Sequence, residues 1–515
     1  MAPLNDLKIL ITAAEAYSAL EEAVLDAQTR IDAGFRVFDP RTPLQSERAR
    51  RIGNTWVDLL VHKLDQGVQV SITLTDFDPV MRAGMHQGSW KSFSIFAGIS
   101  EMSDNGGLLR AVVADHPARV GWGPRLMLRP AVQGQIAGTC QRLNAMAEEI
   151  HNEAWRCMPL FRELAVFQDG QLRPRRDVMV PMMPVSHHQK MAVIDDRVLY
   201  IGGLDLDQRR LDTPDHRGKS EQTWHDVQVI LTDPARARSA REHLDHFLDE
   251  CAGNRPVVSP PGLLRTLSVK RTRDAASLSP DVTDTGIMDR HLALIGRSEH
   301  LIYLESQFMR DPVIAEALAE RAAQAPELGL VIILPGAPLE VAFEKDDSID
   351  LQFGEFLQAK AVDMLRDSYG ERLFVGSPAQ PTDAGYDEQG RQLLHGAPII
   401  FVHSKVSVFD DQAGLVSSAN LNGRSMRWDT EMGIEISDPA QVRQLRQRVM
   451  GAWLPANANA DMTCASVQTV EQWRQLAEIN AATSPRSRQG FVLPYETEPA
   501  RKMGLPIPGW PTEMV

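Results

Sequence analysis

Cysteine is scarce in this chain. Four occur in 515 residues, Cys140, Cys157, Cys251 and Cys464, far apart and without C-x-x-C spacing. That excludes a zinc knuckle and a disulfide framework, and predicts buried free thiols. Long apolar runs are missing too: no stretch reaches the roughly 18 residues of a membrane span, so no transmembrane segment is expected. The opening MAPLNDLKILITAAEAYSALEEA has no basic region followed by an uninterrupted apolar one and a small-residue cleavage site. A cytoplasmic protein is therefore expected, with export that needs no cleaved signal left open. Positive charge is in deficit, 54 Lys and Arg against 68 Asp and Glu for a net −14. This balance removes the electrostatic footprint of a nucleic-acid binder and disfavours adsorption to an anionic membrane by a polybasic patch. Any lipid would be met by an apolar rim or a restricted basic site.

What is present fits an ordinary globular α/β protein. The apolar share is 43%, and the length calls for at least two domains at roughly 100–200 residues each. Residues 14–30 read as a helix and IDAGFRVFDP as a strand; TWVDLLVHKLDQG then reads as a helix closed by Gly67, and VQVSITLTDFDP as a strand turning at Asp78-Pro79. The second half repeats the order, with MDRHLALIGRSEH a helix, LIYLESQFM a strand, VIAEALAERAAQAPELG a helix and LVIILP a strand. Such alternation implies a largely parallel sheet under helices. The proline-dense CAGNRPVVSPPG marks a linker, so domains are placed at 1–255 and 262–515. Residues 80–180, with scattered Met, aromatic residues and Gly, break the alternation and read as an inserted helical segment. Six prolines after Ala482 predict an extended tail along the surface.

Two segments carry chemistry. In SHHQKMAVIDDRVLYIGGLDL, His188, Lys190 and Asp195 stand at H-x-K-x4-D, and in FVHSKVSVFDDQAGLVSSANL, His403, Lys405 and Asp410 stand at the same spacing. Each reads as a strand, in which His and Lys two apart share one face. Seven positions beyond each aspartate begins Gly202-Gly203 or Ser417-Ser418, and then, after one intervening residue, comes Asp205 or Asn420. The copies are homologous repeats. His187, out of register, reads as a pocket-wall or solvent residue.

These motifs resemble the phospholipase D superfamily, whose signature is H-x-K-x4-D followed by G-[GS]-x-[DN], twice in one chain. GGLDLDQRRLDT, TWHDVQVIL, IYLESQF and SANLNGRSM…DTEM resemble further stretches of the family, over roughly residues 185–435. The resemblance implies two α/β sandwich domains related by a pseudo-two-fold, with the active site at their interface. It also implies a monomer-sized chain acting on a phospholipid in transient contact with a membrane or micelle surface. Departures are Ser417 in place of the usual glycine, and Gly203 and Asp205 where the second copy has Ser418 and Asn420.

A phosphodiester is an anion, so Lys190, Lys405 and the Asn420 amide suit its non-bridging oxygens, beside the loops at Gly203 and Ser418. A neutral imidazole attacks phosphorus while a protonated one gives its proton to the leaving oxygen. The resemblance makes His188 the nucleophile and His403 the acid and base; pseudo-symmetry leaves the reverse order open. It points to Glu431 and Asp226 as the acids that fix the two imidazoles, and makes Asp195, Asp410 and Asp205 structural. No carboxylate cluster at ligand spacing adjoins the motifs, so no metal or cofactor is expected. The expected activity is release of phosphatidic acid and free headgroup through a phosphohistidine. Rivals are a phosphatidyltransferase with an alcohol as acceptor, a nuclease, which the acidic composition disfavours, and a scaffold, which the intact motif residues disfavour.

Overall fold

The computed structural model describes residues 4–271, 275–344 and 347–515. In the first half run β1 (Lys8–Ile11), β2 (Arg30–Phe35), β3 (Gln69–Thr75), β4 (Leu109–Ala114), the hairpin β5 (Ala165–Gln168) and β6 (Gln171–Pro174), then β7 (Met191–Ile194), β8 (Val198–Gly202) and β9 (Val227–Thr232). Apart from the hairpin they form one seven-stranded sheet ordered β1-β9-β8-β7-β2-β3-β4. In the second half run β10 (Leu264–Val269), β11 (Asp281–Thr285), β12 (Leu301–Ser306), β13 (Gly329–Ile333), β14 (Leu373–Pro378), the short pair β15 (Leu393–Leu394) and β16 (Ala397–Pro398), then β17 (Lys405–Phe409), β18 (Ala413–Ser417), β19 (Glu431–Ile436) and β20 (Val492–Pro494). The nine-stranded sheet is ordered β11-β10-β19-β18-β17-β12-β13-β14-β20. In each half three parallel strands, β2-β3-β4 or β12-β13-β14, join an antiparallel meander, β7-β8-β9 or β17-β18-β19. The protein is α/β, and the second sheet repeats the strand order of the first and adds β11 and β20 at its edges.

Period-two alternation builds the layers. Met191 and Val193 of β7, Leu199 and Ile201 of β8, and Val227 and Val229 of β9 share one buried cluster with Val406 and Val408 of β17, Val416 of β18, and Met432 and Ile434 of β19. The two sheets thus pack face to face. The alternate residues, Ala192, Ile194 and Tyr200, turn to the helices Thr12–Asp26 and Trp56–Asp65. Ile302, Leu304 and Leu415 likewise turn to the helices Gly286–Ile295, Pro312–Gln324 and Ile349–Tyr369.

The motif aspartates tie loops in the same way in both halves. Asp195 accepts from the amides of Gln28, Thr29 and Arg30 at 2.7, 2.8 and 2.9 Å. Asp410 accepts from Glu299, His300 and Leu301 at 2.8, 2.9 and 2.8 Å. The first helix therefore ends at Asp26, short of the expected Arg30, because residues 28–30 turn around the carboxylate. Asp410→Ala leaves three amides without acceptors, at a position whose φ is +51°, and is expected to cost about 2–4 kcal/mol in urea unfolding. An unchanged midpoint would mean that water replaces the carboxylate.

Several expectations are corrected. Residues 80–114 are no insertion, since the helix Ala83–Met102 and β4 continue the alternation and match the helix Ile349–Tyr369 and β14. The glycines of this helix blur its apolar stripe. The added segment begins after Ala114 and holds the helix Trp122–Asn144 and the β5–β6 hairpin. The proline-rich tail is no plain extended wrap: β20 adds to the edge of the sheet beside β14, and Glu498–Met503 is helical. Cys140, Cys157 and Cys251 are buried free thiols, whereas Cys464 is exposed.

Candidate active site

The motif histidines stand just before the strands expected to carry them, because β7 begins at Met191 and β17 at Lys405. Their extended backbone pairs with the other half instead. His187 bridges Thr430 and His225 bridges Val402, both in parallel. The amide of His188 donates to the Thr430 carbonyl at 2.8 Å, and that of His403 donates to the His225 carbonyl at 2.8 Å.

This register puts each imidazole against a carboxylate from the opposite half. His188 Nδ1 lies 2.8 and 3.0 Å from the two Glu431 oxygens, and His403 Nδ1 lies 2.6 Å from Asp226 Oδ2. Lys190 Nζ donates to the His188 carbonyl at 2.5 Å. Lys405 Nζ donates to the His403 carbonyl and stands 2.9 Å from His403 Nδ1. Among the described residues the Nε2 atoms of His188 and His403 make no hydrogen bond, and the side chains keep 9% and 4% exposure. Both catalytic candidates thus turn one nitrogen into the protein and leave the other free.

Burial dominates the charge states here. It pushes Glu431 up to about 8 and Asp226 up to about 7, against the pull of Lys190 and Lys405. It pushes Lys190 down to about 8 and Lys405 down to about 7. Both imidazoles fall well below the ordinary histidine range, through burial first and then through the lysine charges, with Arg36 adding at His188 and Arg210 at His403. Neutral imidazole is thus the resting form.

The remaining sequence candidates sit around these pairs. Ser418, expected beside substrate, instead gives its hydroxyl to Glu431. A Cβ on Gly203 would stand 2.4 Å from Asp226 Oδ1 and 3.1 Å from Lys405 Cδ, so glycine there is what admits the pair. Ser417, the departure from the signature, faces Gly433 across the ladder, whereas its counterpart Gly202 faces Gln228. The glycine of the pair has changed strands. Asp205 Oδ1 accepts from the Val37 amide at 2.9 Å, and Asn420 Nδ2 donates to Gln307 at 3.3 Å. Asp205 Oδ2 and Asn420 Oδ1 are buried without partners. His187 is neither solvent-facing nor on the site: it is buried, bound to Thr430 Oγ1 at 2.9 Å and packed on Phe247.

Sequence reading missed two groups. Arg210 lies over the Trp224 ring at 3.6 Å, Trp224 lies 4.6 Å from the His403 ring, and Arg210 Nε and Nη1 are buried without acceptors. Its signal was the R-x-D-T stretch, matched without a role. The second is a buried chain behind His403: Asp212 to His216 at 2.6 Å, His216 to His225 at 3.2 Å, and His225 Nε2 within 3.1 Å of Glu305. Glu305 also accepts from Tyr303 at 2.7 Å, from Trp453 at 3.0 Å, and from Ser404. Burial pushes Glu305 up, but His225 and the Ser404 and Tyr303 hydroxyls win and hold it below its usual value. Glu305→Ala strips these donors of their acceptor and is expected to cost about 3–5 kcal/mol in urea unfolding. A loss near zero would show that the donors find other partners.

A family model described as "Cardiolipin synthase, PLD-like domain" matches residues 292–453, the stretch holding His403, Lys405, Asn420 and Glu431. Phospholipase D1 of Schizosaccharomyces pombe is 27% identical over 347 residues, covering 49% of this chain and 25% of that protein. Over these stretches the chain is similar to proteins of the phospholipase D superfamily. Phospholipase D1 of Saccharomyces cerevisiae is 26% identical over 377 residues, covering 52% of this chain and 22% of that protein. The chain therefore spans about a quarter of the length of these two superfamily relatives. Among solved structures, the phosphatidylserine synthase of Haemophilus influenzae aligns with 98% of this chain and 93% of that one, at 14% identity and a TM-score of 0.48. No helix among the described residues is long and apolar enough to cross a membrane.

Proposed function

We propose that this protein is a phospholipase D, hydrolysing a glycerophospholipid to phosphatidic acid and free headgroup through a phosphohistidine. The observation that carries the reading is the crossed pairing of His188 with Glu431 and His403 with Asp226, each with Nε2 free. His188 Nε2 attacks phosphorus and the bond to the headgroup oxygen breaks. His403, doubly protonated while the phosphate anion is bound, gives that oxygen its Nε2 proton and returns to neutral imidazole, and the headgroup leaves as a neutral alcohol. Water then gives a proton back to His403 and attacks phosphorus; the N–P bond breaks and His188 is regenerated. Lys190 and Lys405 neutralise the non-bridging oxygens, and the unpaired Arg210 N–H groups suit the same anion.

The order of roles has its own support. When Glu431 is ionised, His188 Nδ1 faces only carboxylate oxygens, so it carries the ring proton and leaves a lone pair on Nε2 for attack. His403 Nδ1 gives its proton to Asp226 at 2.6 Å, so the ring can hold a second proton on Nε2 as an imidazolium, where the leaving oxygen needs it.

The test is headgroup and phosphatidic acid release from mixed phosphatidylcholine and phosphatidylethanolamine micelles, with chelator in excess. Release is expected to survive the chelator and to vanish in His188→Ala and His403→Ala. With ethanol present, a share of product as phosphatidylethanol is expected if alcohol competes with water. Cleavage of nucleic acid alone would sink the lipid assignment.

A further inference from the structure

We propose that the start of the helix Trp122–Asn144 is a docking surface for an anionic phospholipid membrane, presenting substrate to the neighbouring site; this rests on the phospholipid reading above. Trp122, Arg125, Leu126 and Arg129 stand at i, i+3, i+4 and i+7, one helical face, with Met127 beside it. Trp122 is 59% exposed, Leu126 50% and Met127 79%. Three large apolar side chains this open within six residues are an unburied patch rather than scattered surface residues.

Charge says what covers it. The chain is net −14, yet residues 115–185 carry nine arginines against seven carboxylates. Arg125 and Arg129 make no ion pair among the described residues; Arg125 Nε has no acceptor, and Arg129 donates to the Arg176 carbonyl. An apolar stripe interleaved with unneutralised arginines matches the acyl and headgroup layers of an anionic bilayer.

The patch is tied close to the site. The Val120 amide donates to the Met182 carbonyl at 3.0 Å and Arg129 to the Arg176 carbonyl, so the irregular stretch from Arg176 to Met182, with Met179 42% exposed, is tied to the patch at both ends. The Gly121 and Gly123 amides donate to Ser277 and Ala275 of the second half at 2.7 and 2.8 Å. Met182 stands six residues before His188, a reach of at most roughly 20 Å. A bilayer seated on Trp122, Leu126 and Met127 is therefore joined to His188 by one short segment.

The test is flotation of the full chain with vesicles of phosphatidylcholine alone or mixed with phosphatidic acid, beside turnover of the soluble diester p-nitrophenyl phosphorylcholine. The parent is expected to bind the acidic vesicles about tenfold better than the neutral ones, an advantage lost at high salt. Leu126→Glu/Met127→Glu is expected to weaken vesicle binding on the order of 10²-fold while leaving soluble turnover unchanged. Vesicle binding by the double variant equal to the parent's would overturn the proposal. So would dimerisation of the parent, abolished in the variant, without vesicle binding, since the face would then serve a second copy. Failure of the phospholipase reading looks different: vesicles bind through the patch and no phospholipid is cleaved.

Discussion

His188→Ala is expected to lower kcat by about 10⁴-fold or more and to abolish the burst of product, because it removes the attacking nitrogen. His403→Ala is expected to cost about 10²–10⁴-fold on a phospholipid. A p-nitrophenyl diester separates the two roles, since its leaving group departs without a proton. With it, His403→Ala should still release one equivalent of nitrophenol and then stall, for want of a base to activate water. His188→Ala should give no burst at all. Because the two halves present near-identical pairs, the reverse pattern would exchange the roles and leave the chemistry intact.

Much of this site could be read from the chain. Both histidines and both lysines lay in repeated motifs, both acids lay in stretches that resemble the family's, and the structure brings all six together. Which acid meets which histidine was not legible, because the partnership depends on two isolated bridges between the halves, His187 with Thr430 and His225 with Val402. Contacts between segments 177 and 243 residues apart leave no periodic trace along the sequence. Arg36, buried and unpaired at Nε beside His188, sits in no motif and had no signal.

The fold was legible where burial is one-sided. The first helix–strand units and their counterparts after residue 286 follow the expected segments, because their apolar faces repeat cleanly. The reading failed at Ala83–Met102, where small residues pack on the sheet without an apolar stripe, and at the motif strands, whose first residues leave the sheet to pair across the seam. The tail misled through composition: Pro494 ends β20 and Pro499 lies in the first turn of a short helix, both places where a missing N–H costs nothing.

The crossed acids make the second large prediction. Asp226→Asn and Glu431→Gln are nearly isosteric, yet an amide can donate to Nδ1 and turn the ring to the wrong tautomer, so each is expected to lower kcat by about 10²–10⁴-fold. Stability should move the other way, and with a definite pH dependence. Glu431 is raised to about 8 by burial, well above its ordinary range. A group raised in the folded state gives stability that is full below its unfolded pKa and is lost as pH climbs through the folded one. The parent therefore loses this contribution between roughly pH 4 and 8, while Glu431→Gln, with nothing to ionise, does not. Lys190 and Lys405 have the opposite slope but are present in both proteins, so the comparison removes most of their effect. The Tm of Glu431→Gln relative to the parent should accordingly be higher at about pH 8 than at about pH 5. Thermal unfolding at the two pH values measures it, and an equal gap at both would mean that Glu431 stays ionised beside Lys190, an ion pair strong enough to outweigh its burial.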